Sequence, residues 1–308
     1  MKVRLHPEVA AALSSSDGRA VVGLESSVLA QGLPEPANRE ADRRMRAAIR
    51  ARGAIAAVTA VARGVPAAGL DDAELERFLS RTGVSKVSAR DIPWAVARGL
   101  DGATTVAASL CICAQAGISV FATGGIGGVH RSASGHSFDE SADLLELSRS
   151  SVVTVCAGAK SILDLPATVE RLETLGVSVI GYRTDEFPGF FTARTGENLT
   201  LGAVADSPAE IAAAFRASRA LGRPGSVLVV QPPPAAVALD HQLVEDAVAA
   251  ALAAAVAGRI SGARLTPFLL GEVERATGGR SLAANLGLLE ANAALAAEIA
   301  VALADSRL

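Results

Sequence analysis

Short apolar runs alternate with amphipathic stretches along most of the chain. GRAVVGLES is strand-like and is followed by a helical pattern from Asn38 to Arg52. GAIAAVTAV reads as a second strand, and a polar turn leads into a helix around Asp71 to Ser80. DGATTVAASLCICAQAG reads as one buried helix, and ISVFATGG as a strand ending in glycines. SVVTVCAG and VSVIGY are further strands, separated by a Leu- and Glu-rich helical segment from Leu165 to Gly176. SVLVVQPPP is a late strand closed by prolines, and from Asp240 onward the pattern is helical almost throughout. Strands alternating with helices predict an α/β fold, a mainly parallel sheet sandwiched between helices (α/β/α). No repeat or low-complexity linker divides residues 1–308, which read as a single domain. In such sheets ligands bind beyond the carboxyl ends of the strands. Glu25, the run Gly124 to His130, and Lys160 each follow a predicted strand directly, so they are expected on one rim.

Composition narrows the function classes. Half of the 308 residues are hydrophobic, enough for a large core. The net charge is -3, no basic run is present, and aromatic residues make up only 3%. A nucleic-acid partner is therefore not expected. Cys111, Cys113 and Cys156 form no CxxC pair and predict free thiols in a reducing compartment. MKVRLHPEVAAAL carries charges and a proline where a signal peptide would be apolar. AVAAALAAAVAG is too short and too alanine-rich to span a bilayer. The expectation is a soluble cytoplasmic protein with no membrane partner.

One count changes the picture more. Of the 29 basic residues only three are lysines, Lys2, Lys86 and Lys160; the other 26 are arginines. Lys86 and Lys160 lie inside apolar or small-residue segments. Arginine stays protonated, whereas a buried lysine can lose its proton and act as a nucleophile. Chance survival of two interior lysines explains the count equally well.

Other candidates cluster in the same regions. FATGGIGGVHR places four glycines after a strand but breaks the GxGxxG cofactor fingerprint at His130. His130, His136, Asp139 and Asp143 follow within a short stretch. Ser137 or Asp139 could cap the next helix. Two acids four residues apart would also suit Mg or Mn, which take oxygen ligands. Glu25 follows a strand, where it either bonds a neighbouring backbone or transfers a proton. Lys86, beside Ser85 and Ser88, could hold a phosphate or simply pair with Asp91.

Together these segments resemble the pseudouridine-5′-phosphate glycosidase family, also called the indigoidine synthase A family. The matching stretches are LESSVLAQGLP, KVSARDIP, DGATTVAASL, VFATGGIGGVHR, SFDESADLLEL, VCAGAKSILDL, GYRTDEFPGFF, TPFLL and TGGRSLAANLGLLEANAALAAEIA. They run in order from residue 24 to about 300. The resemblance implies an α/β/α fold, often trimeric, with a divalent metal, typically manganese. It implies reversible cleavage of the C–C glycosidic bond of pseudouridine 5′-phosphate to uracil and ribose 5-phosphate. By motif, Lys160 falls on the nucleophile, Glu25 on the proton donor and Asp139 on the metal ligand. Lys86, Val106, Ser141, Ala142 and Asp143 fall on substrate-binding positions, and His130 and Asn285 on residues lining the pocket. The chain departs from the family pattern at LPEPAN, in lacking a proline near the start of GAIAAVTAVARGVPAAGL, and in one extra residue between His130 and Asp139.

The implied chemistry accounts for a lysine between apolar runs. An ordinary glycosidase protonates a leaving oxygen with one of two carboxylates. Here the leaving atom is carbon, and a uracil carbanion leaves poorly. A lysine that adds to C1′ of the opened ribose offers another route, through an imine. It must attack as a free amine, a form that apolar surroundings favour. A Schiff-base aldolase acting on another sugar phosphate shares the lysine and the phosphate site. A sugar-phosphate-binding regulator would bind without turnover.

Overall fold

The computed structural model describes residues 2–14, 19–131, 139–260 and 265–305. His136 and Ser137 lie outside them. In chain order the strands are β1 (Arg4–Leu5), β2 (Val21–Leu24), β3 (Ile55–Ala62), β4 (Val65–Ala68), β5 (Val84–Val87), β6 (Asp101–Thr104), β7 (Val120–Ala122), β8 (Val129–His130), β9 (Val153–Cys156), β10 (Leu163–Asp164), β11 (Ser178–Tyr182), β12 (Val204–Ala205) and β13 (Val227–Val230).

VVGL, VFA, VTVC and VLVV are buried along their whole length, as strands covered on both faces must be. They form the parallel middle of the large sheet, in the order β3-β2-β7-β9-β13-β11-β12. β3 is long enough to pair in parallel with β2 through its first half. Its second half runs antiparallel to both β4 and β6. β5 then extends the sheet in parallel beyond β6. β8 and β10 form a separate antiparallel ribbon.

Helices cover both faces. Arg280–Ala304 packs on β2, β7 and β9 and against the helix Ala37–Arg50. Val106–Ala116 packs on the opposite face, over β2, β3 and β6. Its approach explains Gly23 in the middle of β2: a Cβ there would lie 2.4 Å from Cys113 Sγ. By length and composition alone Arg280–Ala304 could cross a membrane. Its apolar side is used instead against the sheet, where Leu288, Leu289, Ala293, Ala296, Ala297 and Ile299 are buried.

The register fixes the rim. Leu24 lies opposite Ala122, and Ala122 opposite Val155. Because these strands are parallel, the segments carrying Glu25, Thr123 and Lys160 leave the sheet at the same edge.

Two sequence expectations need correction, and one silence is filled. DGATTVAASLCICAQAG is not one helix but β6 followed by Val106–Ala116. Thr105 makes the break, since its hydroxyl accepts the amide of Ala108 as an N-cap. VSKV and VPAA, which the sequence pattern leaves without an element, are β5 and β4. The helix after Asp139 has Ser141, not Asp139, as its N-cap, and Ser141 accepts the Asp143 amide at 3.2 Å.

Candidate active site

Beyond the carboxyl ends of β2, β7 and β9 lies a cavity of about 320 Å³. Glu25, Lys86, Gly124, Gly125 and Lys160 line its floor side. Val28, Leu33, Phe190 and Phe191 form much of its apolar wall. The helices Leu265–Ala276 and Arg280–Ala304 close it, with Pro267, Leu270 and Asn285 facing in.

Glu25 is only 7% exposed, and both carboxylate oxygens are held. Thr123 Oγ1 donates to Oε1 and Ser27 Oγ to Oε2, each at 2.5 Å. Thr123 is fixed in turn from the helical layer. Asn292 Nδ2 donates to the carbonyls of Thr123 at 2.8 Å and Gly124 at 3.3 Å, and Gln231 Nε2 donates to Asn292 Oδ1 at 2.9 Å. Beneath Glu25, the hydroxyls of Ser26, Thr59, Thr104 and Ser109 bond one another, fully buried. Satisfied networks of this kind rigidify the groups above them.

Lys160 follows the isolated bridge between Ala159 and Ile126, and its amide donates to Ile126 O at 3.1 Å. Lys86 projects from β5 into the same cavity. Burial lowers the Lys86 pKa from its ordinary value, and the charge of Lys160 lowers it further; Glu25 and Asp143 oppose the shift. Lys86 is itself exposed to solvent, so screening weakens this shift. Among the described residues neither lysine enters an ion pair. Asp91, the alternative partner of Lys86, instead pairs with Arg90 and accepts the Ser88 amide. Two lysine side chains facing one cavity outside any ion pair favour an anionic ligand.

Residues 8–302 match the family model described as indigoidine synthase A like protein. The chain belongs to the indigoidine synthase A-like family. Among curated relatives, a pseudouridine-5′-phosphate glycosidase of Gemmatimonas aurantiaca is 62% identical over 288 residues, covering 94% of this chain and 92% of the relative. One of Herpetosiphon aurantiacus is 52% identical over 305 residues, covering 99% of each. Among solved structures, the prealnumycin C-glycosynthase AlnA in complex with ribulose 5-phosphate superposes with a TM-score of 0.90 at 38% identity, covering 100% of this chain and 98% of that one. An indigoidine synthase A-like protein of Thermotoga maritima gives 0.87 at 36% identity, covering 99% and 97%.

In this member of the indigoidine synthase A-like family, Glu25, Lys86, Lys160 and Asn285 share the cavity. The other expected site residues sit around it. Val106 is the first residue of its helix and is buried. The Ala107 amide donates to Asp143 Oδ1 at 2.9 Å and the Ala108 amide to Thr105. Asp143 Oδ2 accepts the Gly127 amide at 2.8 Å. Both Asp143 oxygens are thus engaged with backbone, which locks the glycine loop to the helix start. Ser141 and Ala142 abut that loop, with Ser141 against Gly127. His130 is half-buried in the β8–β10 ribbon and does not line the cavity.

Asp139 is exposed, and its carbonyl accepts the His130 amide at 3.0 Å. Among the described residues no group of three His, Cys, Asp or Glu side chains gathers around a metal position. Both Asp143 oxygens are taken by backbone amides. A single exposed carboxylate fits a hard cation that keeps most of its waters. Cys113 and Cys156 are buried free thiols and Cys111 is half-buried.

The hydroxyls of Thr123 and Ser27 were not distinguishable in the sequence, although both lie inside matched motifs. Asn292 also lies inside a matched motif, and Gln231 carried no local signal.

Proposed function

We propose that this protein cleaves the C–C glycosidic bond of pseudouridine 5′-phosphate reversibly, giving uracil and ribose 5-phosphate through an imine on Lys160. The observation that carries the reading is the convergence of Glu25, Lys86 and Lys160 on one cavity. The curated relatives named pseudouridine-5′-phosphate glycosidase support the substrate, and the sugar phosphate bound to the C-glycosynthase neighbour supports the ribose end.

Lys86 holds the phosphate as a compact positive charge, and the Val106 amide at the helix start adds a donor. Glu25 gives a proton to the ribose ring oxygen, which opens the ring. The Lys160 amine adds to C1′. The bond from C1′ to the uracil carbon then breaks, that carbon takes a proton, and nitrogen and C1′ become an imine. Water hydrolyses the imine and releases ribose 5-phosphate and the free lysine. The apolar wall of Val28, Leu33 and Phe190 limits water at the reacting centre. Asp139 is the residue that would hold Mn²⁺, which would supply positive charge beside an anionic substrate. Asn285 faces the cavity from the helical side, where it can bond the substrate.

The test is release of uracil from pseudouridine 5′-phosphate with manganese present, followed by borohydride trapping with ribose 5-phosphate. The expected result is uracil in solution and a reduced sugar adduct on the Lys160 peptide. Turnover without uracil, or an adduct on Lys86 alone, refutes the reading.

A further inference from the structure

The turn that carries Lys160 is closed by the Leu163 amide donating to Lys160 O at 3.0 Å. Two of its other carbonyls, those of Ser161 and Leu163, converge on one side chain. Arg131 Nε donates to Leu163 O at 3.0 Å, and Arg131 Nη2 to Ser161 O at 3.2 Å. The same guanidinium grips Glu245 with two parallel bonds, Nη1 to Oε2 at 2.8 Å and Nη2 to Oε1 at 2.9 Å. Glu245 lies in the helix His241–Ala257, which packs on Leu265–Ala276 at the cavity mouth. About two-thirds of each side chain in this pair is withdrawn from solvent.

We infer that Arg131 is a positioning residue for Lys160, bracing the lysine turn through the Ser161 and Leu163 carbonyls and tying it to the helical cap through Glu245. The inference rests on the reading of Lys160 as the nucleophile. An arginine suits the task because its rigid fork reaches two carbonyls and a carboxylate at once. A lysine keeps the charge but makes a single-point contact. Arg131 touches no cavity surface, so it acts on the reaction through the lysine turn and not through the substrate.

The experiment compares Arg131→Lys, Glu245→Gln and wild type, with Arg39→Gln as a control that removes an exposed ion pair elsewhere. Two quantities are read: kcat and KM for uracil release, and the carbamylation rate of Lys160 by cyanate, followed on its peptide against Lys86. Cyanate reports the amine whatever sugar the enzyme uses. Arg131→Lys is expected to lower kcat about 10- to 100-fold with KM within about threefold, the scale of a displaced reacting group. The Lys160 carbamylation rate should shift while that of Lys86 stays. Glu245→Gln should produce a smaller change of the same kind, and it decides the matter if Arg131→Lys does not fold. A folded Arg131→Lys protein with unchanged Lys160 carbamylation overturns the inference, as does a change in KM alone. Absence of uracil release in the wild type would refute the proposed reaction, and the carbamylation comparison would still decide the role of Arg131.

Discussion

Thr123 Oγ1 donates a 2.5 Å hydrogen bond to Glu25 Oε1 across the gap between the ends of two neighbouring parallel strands. Neither residue reaches this position by a loop of its own. The sheet register sets their spacing, and Asn292 fixes the carbonyl of Thr123 from the opposite layer. The carboxylate is thereby aimed before any ligand arrives, which is the form preorganisation takes at this site.

Thr123→Val keeps the shape of the side chain and removes that donor. Turnover should fall roughly tenfold or more, since a carboxylate held from one side wanders from its working geometry. Ser27→Ala should act in the same direction, and the double variant should lose less than the product of the two. Steady-state uracil release measures all three. Wild-type rates in both single variants would remove the hydroxyls from the mechanism.

Glu25→Gln should lower turnover by about a hundredfold or more, the range for a positioned general acid. Binding should hardly change, because the proposed phosphate contact at Lys86 is left intact. Lys160→Arg should be folded and inactive, since arginine stays protonated and cannot form the imine. Circular dichroism checks the fold, and trapping with borohydride checks the adduct.

The lowered pKa of Lys86 has a consequence for stability. The folded protein binds this proton less tightly than the unfolded chain does. Stability from this group therefore rises with pH between the folded value and the ordinary 10.5, and is flat on either side. Lys86→Met removes the cost of charging the site. It should raise the unfolding midpoint at pH 7, with a gain that fades as pH approaches 10.5. A gain of constant size from pH 7 to pH 11 would mean that packing, not charge, is responsible.

Chelation should abolish turnover, and manganese should restore it better than zinc, as an oxygen donor prefers. Asp139→Ala should need far more manganese for the same rate. Unchanged metal dependence in that variant would end the ligand assignment.

Gly23→Ala should destabilise the fold by about 1–3 kcal/mol, because the new methyl meets Cys113 Sγ in a closed interior. Adding Cys113→Ala should recover part of that loss. Denaturant unfolding of the two single variants and the double variant gives the coupling, and simple additivity would show that the clash is relieved elsewhere.

How much of this was legible in the sequence depended on how each signal is made. β2, β9 and β13 announce themselves because strands buried on both faces must be continuously apolar. β4, β5 and β6 do not. VPAA, VSKV and DGAT are short and mixed, and their extended form comes from pairing with β3 and with one another. Glu25, Lys86 and Lys160 stood out because their types are scarce or costly where they occur. Thr123 and Ser27 did not, since a hydroxyl serves caps, turns and cores equally well. Arg131 was one arginine among 26, distinguished only by what its fork touches. His130 followed the glycines as expected but turned into the β8–β10 ribbon.

The helix Arg280–Ala304 contributes Asn285 to the cavity and, through Asn292, the bond that steadies Thr123. It is synthesised more than 250 residues after Glu25. On the ribosome the sheet strands emerge first, so the carboxylate and both lysines are translated while one wall of the cavity is still missing. The Lys160 amine is thus enclosed only once that long helix docks. Completion of the pocket waits on that helix, and a chain stalled before it would expose the glycine loop without the asparagine that holds it.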